Sequence, residues 1–164
     1  GLFTSIQRLR ATWPDLAQRL AEADIPLYAQ HVDRMNLQTL LQLFREDRRS
    51  ALIGTDAVRD GVDVPGDALR MMIYERVPWP RADILFRARS AWQGRDAWTD
   101  RITRMKLRQA FGRLIRRADD KGVFVMLDNR MPTRLTTAFP KDVEIVRCGL
   151  TEVIAETKVF LTEI

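Results

Sequence analysis

An α/β fold with a mainly parallel central sheet is predicted by three observations. Apolar runs of strand length alternate with longer stretches of helical period, the pattern of βαβ units whose strands are buried. The 164 residues suffice for one domain that covers both faces of a sheet without disulfides or metals. The segments richest in reactive residue types follow strands, where open α/β sheets place their ligands.

In chain order, Leu2-Phe3-Thr4 reads as the end of a strand, with Ser5 as N-cap of a helix to about Ala11. Trp13-Pro14 then restarts a helix that runs to about Glu22, because proline suits a first turn. Ile25 to Gln30 is the second strand, Asn36 caps an amphipathic helix to about Arg48 through Leu37, Leu40, Leu41 and Phe44, and Ala51 to Gly54 is the third strand. A loop rich in Gly and Asp follows. Leu69 to Val77 is the fourth strand, stopped by Pro78-Trp79-Pro80. Helical spacing returns at Ile84 to Trp92 and Trp98 to Arg117, Gly122 to Leu127 and Val143 to Val146 read as strands, and Thr151 opens a terminal amphipathic helix. The Trp and Met residues on these helices read as core. No repeat or low-complexity segment interrupts the pattern.

A net charge of +5 and a pI near 10 favour an anionic partner, since clustered cations gain by neutralising phosphates. Of the 27 basic residues only 4 are Lys, which fits bidentate phosphate recognition or simply a composition bias. Cys148 and His31 are single, so disulfides and Cys/His zinc or iron–sulfur sites are excluded from this chain. Cys148 is expected as a small buried hydrophobe and His31 as a loop residue. No apolar run reaches the roughly 18 residues of a membrane span. The start at Gly1-Leu2-Phe3, with no signal or transit pattern, reads as a piece of a longer chain.

Three segments carry the chemistry: Leu2-Phe3-Thr4-Ser5, the stretch from Gly54 to Asp67, and Gln109 to Arg117. In the third, Arg113 and Arg116 are three apart, so a helix would turn both guanidiniums to one face, with Gln109 four residues before Arg113. Gly112 in a helix interior costs about 1 kcal/mol against Ala and suggests a close approach of backbone or ligand. In the second segment Asp56, Asp60, Asp63 and Asp67 lack the alternating spacing of a calcium loop, and no metal is expected there. Thr4 and Ser5 suit phosphate by hydroxyl and helix-end polarity, or plain N-capping. The aromatic ring of Trp79 could stack on a base, or lie buried under the Gln109–Arg117 helix.

The string Gln-x-x-Gly-Arg-x-x-Arg resembles motif VI of superfamily 2 helicases. Gln109-Ala110-Phe111-Gly112-Arg113-Leu114-Ile115-Arg116, with Asp119-Asp120-Lys121-Gly122 and Leu127-Asp128-Asn129-Arg130 downstream, is similar to the DinG/XPD branch. Gly61-Val62-Asp63 and Pro65-Gly66-Asp67 resemble motif V, with Asp60 where the family has Glu, and Leu2-Phe3-Thr4-Ser5 resembles motif IV. Val77-Pro78-Trp79-Pro80 stands at the family's Leu-Pro-Phe-x-x-Pro.

The resemblance covers the whole chain and implies a RecA-like three-layer sandwich, the second motor domain of a DNA helicase over residues 1–164. It implies Arg116 as arginine finger with Arg113 as its partner, Gln109, Gly112, Gly61 and Asp63 at the nucleotide, and Thr4, Ser5, Thr55 and Trp79 along the nucleic acid. No Gly-x4-Gly-Lys-Ser/Thr loop occurs, nor an Asp-Glu-x-His or Asp-Glu-x-Asp segment, so the chain alone is expected to be inactive. ATP with Mg²⁺ would be shared with a preceding RecA-like domain, which in the family also carries an iron–sulfur insertion. Single-stranded or forked DNA, 5′ to 3′ unwinding and a bacterial cytoplasmic setting complete the expectation. The alternatives are a non-catalytic RecA-like nucleic-acid-binding module, a nucleotide-independent interaction domain, or an RNA substrate.

Overall fold

The computed structural model describes residues 1–61, 63–64 and 69–162. Its strands are β1 (Leu27–Ala29), β2 (Ala51–Ile53), β3 (Met71–Tyr74) and β4 (Val123–Met126). Its helices are α1 (Ile6–Glu22), α2 (Leu37–Glu46), α3 (Asp56–Gly61), α4 (Ile84–Gln93), α5 (Arg95–Leu114) and α6 (Leu150–Thr162), with a 3-10 helix at Thr133–Ala138.

β1 pairs with β2 and β3 with β4, both in parallel, in registers such as Tyr28 opposite Leu52 and Met72 opposite Phe124. Leu2 joins the two pairs, bridging in parallel to Gly54 and to Tyr74. Its N–H donates to the Ile73 carbonyl at 2.7 Å and its carbonyl accepts from Glu75 N–H at 3.0 Å, while Phe3 N–H reaches the Gly54 carbonyl at 2.8 Å. The order across the sheet is therefore β1, β2, Leu2, β3, β4. The first segment of the chain lies at the centre, and the crossing from β2 to β3 passes over it.

Strand alternation sends neighbouring side chains to opposite faces. Leu27, Ala29, Ile53 and Phe3 meet Leu9, Trp13 and Leu16 of α1 on one side. Leu2, Leu52, Met72 and Tyr74 meet α2, α3 and α5 on the other, through Leu40, Val58 and Leu107 among others. Two cores on one parallel sheet make the three layers of a RecA-like α/β fold. Among the described residues no helix is long and apolar enough to cross a membrane.

The two caps the sequence places, Ser5 and Asn36, each accept a backbone N–H of the first turn, and the structure adds Asp83 as cap of α4. Four expectations are corrected. α1 does not break before Pro14 but runs through it. An interior proline costs a helix about 3 kcal/mol, yet Leu9, Trp13 and Leu16 form one apolar face against β1 and β2, and the ring of Pro14 lies on the exposed side.

The Gly/Asp-rich loop after β2 holds the short helix α3, whose Val58 is buried. α5 begins before Trp98, at Arg95, and stops at Leu114 rather than reaching Arg117. Val143 to Val146 is not a strand: it has no ladder partner among the described residues, and an unpaired segment gains none of the hydrogen bonds that stabilise extended backbone. Ile145 and Val146 stay about half exposed, bordering a cavity of about 660 Å³ between β4 and α6.

Pro14→Ala is expected to raise stability by about 1–3 kcal/mol, because it restores an interior helix donor. Urea denaturation would measure it. A helix restarting at Pro14 would show no such gain.

Candidate functional site

The carboxyl ends of the strands bring four segments together. Thr4 donates its hydroxyl to Glu75 Oε2 at 3.1 Å, and Glu75 is in turn paired with Arg8 of α1 and with Arg76. Ser5 is occupied as N-cap of α1, accepting from Arg8 N–H. At the end of β2, Thr55 sends both its N–H (2.9 Å) and its hydroxyl (3.1 Å) to Gln30 Oε1, and His31 Nε2 lies 3.3 Å from the same hydroxyl. His31 is a turn residue, as its place after β1 suggests, with the left-handed φ of 69°.

Trp79 is 40% exposed, so it is not buried under α5. It lines a cavity of about 540 Å³ together with Thr4, Thr55 and Asp56. Three of the four residues expected along the nucleic acid thus border one cavity, and Ser5 adjoins them in sequence.

From this cavity α3 runs toward the arginines. Arg59 is 5% exposed and forks between Asp56 Oδ1 (2.9 Å) and Asp60 Oδ1 (2.8 Å), while Lys106 of α5 donates to the other oxygen of Asp56 at 2.9 Å. Burial works against the Arg59 charge, but Asp60, Tyr74 and Asp56 outweigh it and raise its pKa. Burial pushes the neighbouring Tyr74 hydroxyl up to about 12. Gly61 closes α3 where a Cβ would lie 3.0 Å from Leu41 Cδ1, so its lack of a side chain lets α3 sit close on α2.

At the far end, Arg113 Nη2 donates to the Asp60 carbonyl at 3.1 Å, and Arg116 is ion-paired with Asp63. The two guanidiniums therefore meet the same stretch of chain, but not by sharing a helix face. Ile115 is extended (φ −114°, ψ 106°), and the Asp120 carboxylate takes the N–H groups of Arg116 and Arg117, each at 2.8 Å. A side-chain acceptor thus replaces the next helical turn and presents Arg116 from a loop.

Hydrogen bonding and then charge from Arg116 hold the Asp63 carboxyl below its usual range; the two backbone donors do the same for Asp120. Gln109 and Gly112 are exposed on α5, and apart from Gly112's own neighbours and the backbone of its helix no described atom comes within 4 Å of where a Gly112 Cβ would stand. Val62, Pro65, Gly66 and Asp67 of the motif V resemblance lie outside the described residues.

The helicase C-terminal domain model matches residues 1–145. The chain belongs to the helicase C-terminal domain family. It is 36% identical over 140 residues to the ATP-dependent helicase DinG of Mycobacterium tuberculosis (strain H37Rv), covering 81% of this chain and 20% of that protein. It is 30% identical over 139 residues to the 3′-5′ exonuclease DinG of Bacillus subtilis (strain 168), covering 80% and 15%. With the ATP-dependent DNA helicase YoaA of Escherichia coli (strain K12) it shares 38% over 104 residues, 58% of this chain and 16% of the relative. The chain thus spans a fifth or less of the length of these relatives.

In this helicase C-terminal domain, sequence reasoning passed over the residues that join the two ends of the site. Arg59 and Lys106 become neighbours of Asp56 only through packing; the i, i+3 spacing of Asp56 and Arg59 was the one available signal. Cys148 is half-buried rather than buried, with its thiol pKa raised by burial and then by Glu152 and Glu156.

Downstream, the Asp128 carboxyl is lowered: burial opposes its charge, but the backbone N–H groups of Arg130 and Val77 outweigh it. An unfolded aspartate titrates near pH ~4, above these folded carboxyls, so their stabilisation is complete above that pH and lost as pH falls through the folded values. A protein carrying Asp63→Asn, Asp120→Asn and Asp128→Asn together should lose urea stability less steeply than wild type between about pH 4 and 2. An unchanged slope would assign the acid sensitivity to other carboxylates.

Proposed function

We propose that this chain is the second RecA-like motor domain of an ATP-dependent DNA helicase, acting with a preceding RecA-like domain of the same protein. The observation that carries the reading is α3 and its flanks. One end opens on the strand-end cavity through Thr55 and Asp56, and the other receives Arg113 and Arg116 at Asp60 and Asp63. The names of the relatives support an ATP-dependent activity of the intact protein.

The donor set fits one side of a triphosphate. Two guanidiniums and the side-chain amide of Gln109 offer N–H donors to anionic oxygen, and the missing side chain at Gly112 leaves room beside them. No Gly-x4-Gly-Lys-Ser/Thr string occurs in this chain, and the reading assigns the phosphate loop, with the Mg²⁺ it would help to hold, to the preceding domain. An iron–sulfur cluster in the parent would likewise need ligands from elsewhere. The bound nucleotide supplies the phosphoanhydride whose cleavage drives the cycle.

Arg116 exchanges Asp63 for the charge that develops on the transferred phosphoryl group, as arginine fingers do, and Arg113 supports it. Arg113 holds the Asp60 carbonyl while the Asp60 carboxylate holds Arg59, so a shift of α5 is passed through α3 to Asp56 and Thr55. Thr4, Ser5 and Thr55 grip the phosphate backbone by exchanging their present intramolecular partners, and Trp79 offers its ring to a base. Movement 5′ to 3′ along single-stranded or forked DNA in a bacterial cytoplasm completes the proposal.

In the intact protein, Arg116→Ala is expected to lower DNA-stimulated ATP hydrolysis about 10³-fold or more while nucleotide binding persists. Steady-state turnover with and without a single strand, alongside equilibrium nucleotide binding, measures both. No turnover in the wild type would favour a non-catalytic nucleic-acid-binding module; full turnover in the variant would remove Arg116 from the role.

A further inference from the structure

α4 and α5 also line the strand-end cavity that Thr4 and Thr55 border, and none of the motifs accounts for their part of it. Trp98 lines this cavity, half-buried, and its ring carries two cations: Arg89 Cζ of α4 lies 5.8 Å and Arg101 Cζ 5.9 Å from its centroid. Among the described residues neither guanidinium, nor that of Arg81 on the cavity rim, is ion-paired with a carboxylate. The acidic groups of the cavity are already engaged. Asp56 is held by Arg59 and Lys106, and Asp83 accepts the Phe86 N–H as cap of α4.

The cavity is thus lined by two indoles, Trp79 and Trp98, and by the cations Arg81 and Arg89. Its volume of about 540 Å³ falls in the range of small-ligand pockets. Packing two helices together needs neither unpaired guanidiniums on an indole nor a second exposed indole facing the same space. Stacking of a planar, electron-rich ring on an aromatic face, reinforced by arginine, uses both.

We propose that Trp98, with Arg89 against its ring, is a stacking site for one base of the single strand whose backbone passes the strand ends at Thr4 and Thr55. The inference rests on the single-strand reading above and adds a residue and a contact to it. Trp79 lines the same cavity. Arg89 and Arg101 fix the Trp98 ring and add charge beside the passing phosphates. Because every base has a ring face, the site grips without reading sequence.

The test is equilibrium binding by the intact protein of a fluorescent oligothymidylate and of an abasic oligonucleotide of equal length and charge, at one salt concentration. Wild type should bind the oligothymidylate more tightly. Trp98→Ala should weaken that binding about 5- to 100-fold, the span of one lost base stack, and leave abasic binding unchanged. Trp98→Phe should retain most of the affinity. Trp98→Leu, which keeps apolar packing between α4 and α5, should behave like Trp98→Ala and serves if the alanine protein fails to fold. Equal wild-type affinity for the two oligonucleotides, or an equal loss on both in Trp98→Leu, would overturn the stacking site while leaving the single-strand reading intact. Wild-type binding to neither would overturn both.

Discussion

The backbone of Leu2 turns two strand pairs into one sheet. β1–β2 and β3–β4 each form a parallel ladder of only three or four residues, and isolated two-stranded pairs are marginal at best in water. Bonds from Leu2 to Ile73 and Glu75 on one side, and from Phe3 to Gly54 on the other, place both pairs in one plane. Everything at the strand ends follows from that join. Thr4 can meet Glu75, and Thr4 and Thr55 can border one cavity, because the first segment lies between the strands that carry the others.

The join also sets the helices on both faces. α1 leaves the central segment and covers β1 and β2 from one side; α2, α3 and α5 cover the other. α3 is short, and alone it would be unstable, since helices of this length lack the bonds to offset nucleation. Val58 anchors it in the core, and Arg59 ties its first and last turns through Asp56 and Asp60. Breaking such a pair by removing one partner typically costs ~3–5 kcal/mol when both charges are buried; here the carboxylates are partly solvated, so the cost is smaller and the contact can rearrange. A rigid element held by rearrangeable contacts is a suitable link between the two ends of the site.

The arginines illustrate how a spacing can suggest a geometry that the chain does not adopt. The spacing of Arg113 and Arg116 suggested a common helix face, yet α5 ends between them. Asp120, a residue read only as part of a downstream string, captures the two amides that would have continued the helix and so presents Arg116 from a loop. Both arginines still meet one short stretch of chain, Arg113 at the Asp60 carbonyl and Arg116 at Asp63, without helical periodicity to bring them there.

Short-range signals settled much of the molecule in advance. Apolar runs bounded by Gly and Pro marked the four strands, Ser5 and Asn36 stood at helix starts, and the strings around Gly61 and Gly112 marked the family. Each of these is carried by neighbours in sequence, which is why it can be read without coordinates. Tertiary structure alone decided that α1 runs through Pro14, since only packing on β1 and β2 outweighs the lost hydrogen bond. It decided that Val143 to Val146 stays unpaired, since a strand needs a neighbour as well as a composition. It also decided that Lys106 meets Asp56 and that Trp98 lines the strand-end cavity with Thr4 and Thr55. Those contacts span tens of residues, and no local pattern encodes a distance that exists only once the sheet has closed.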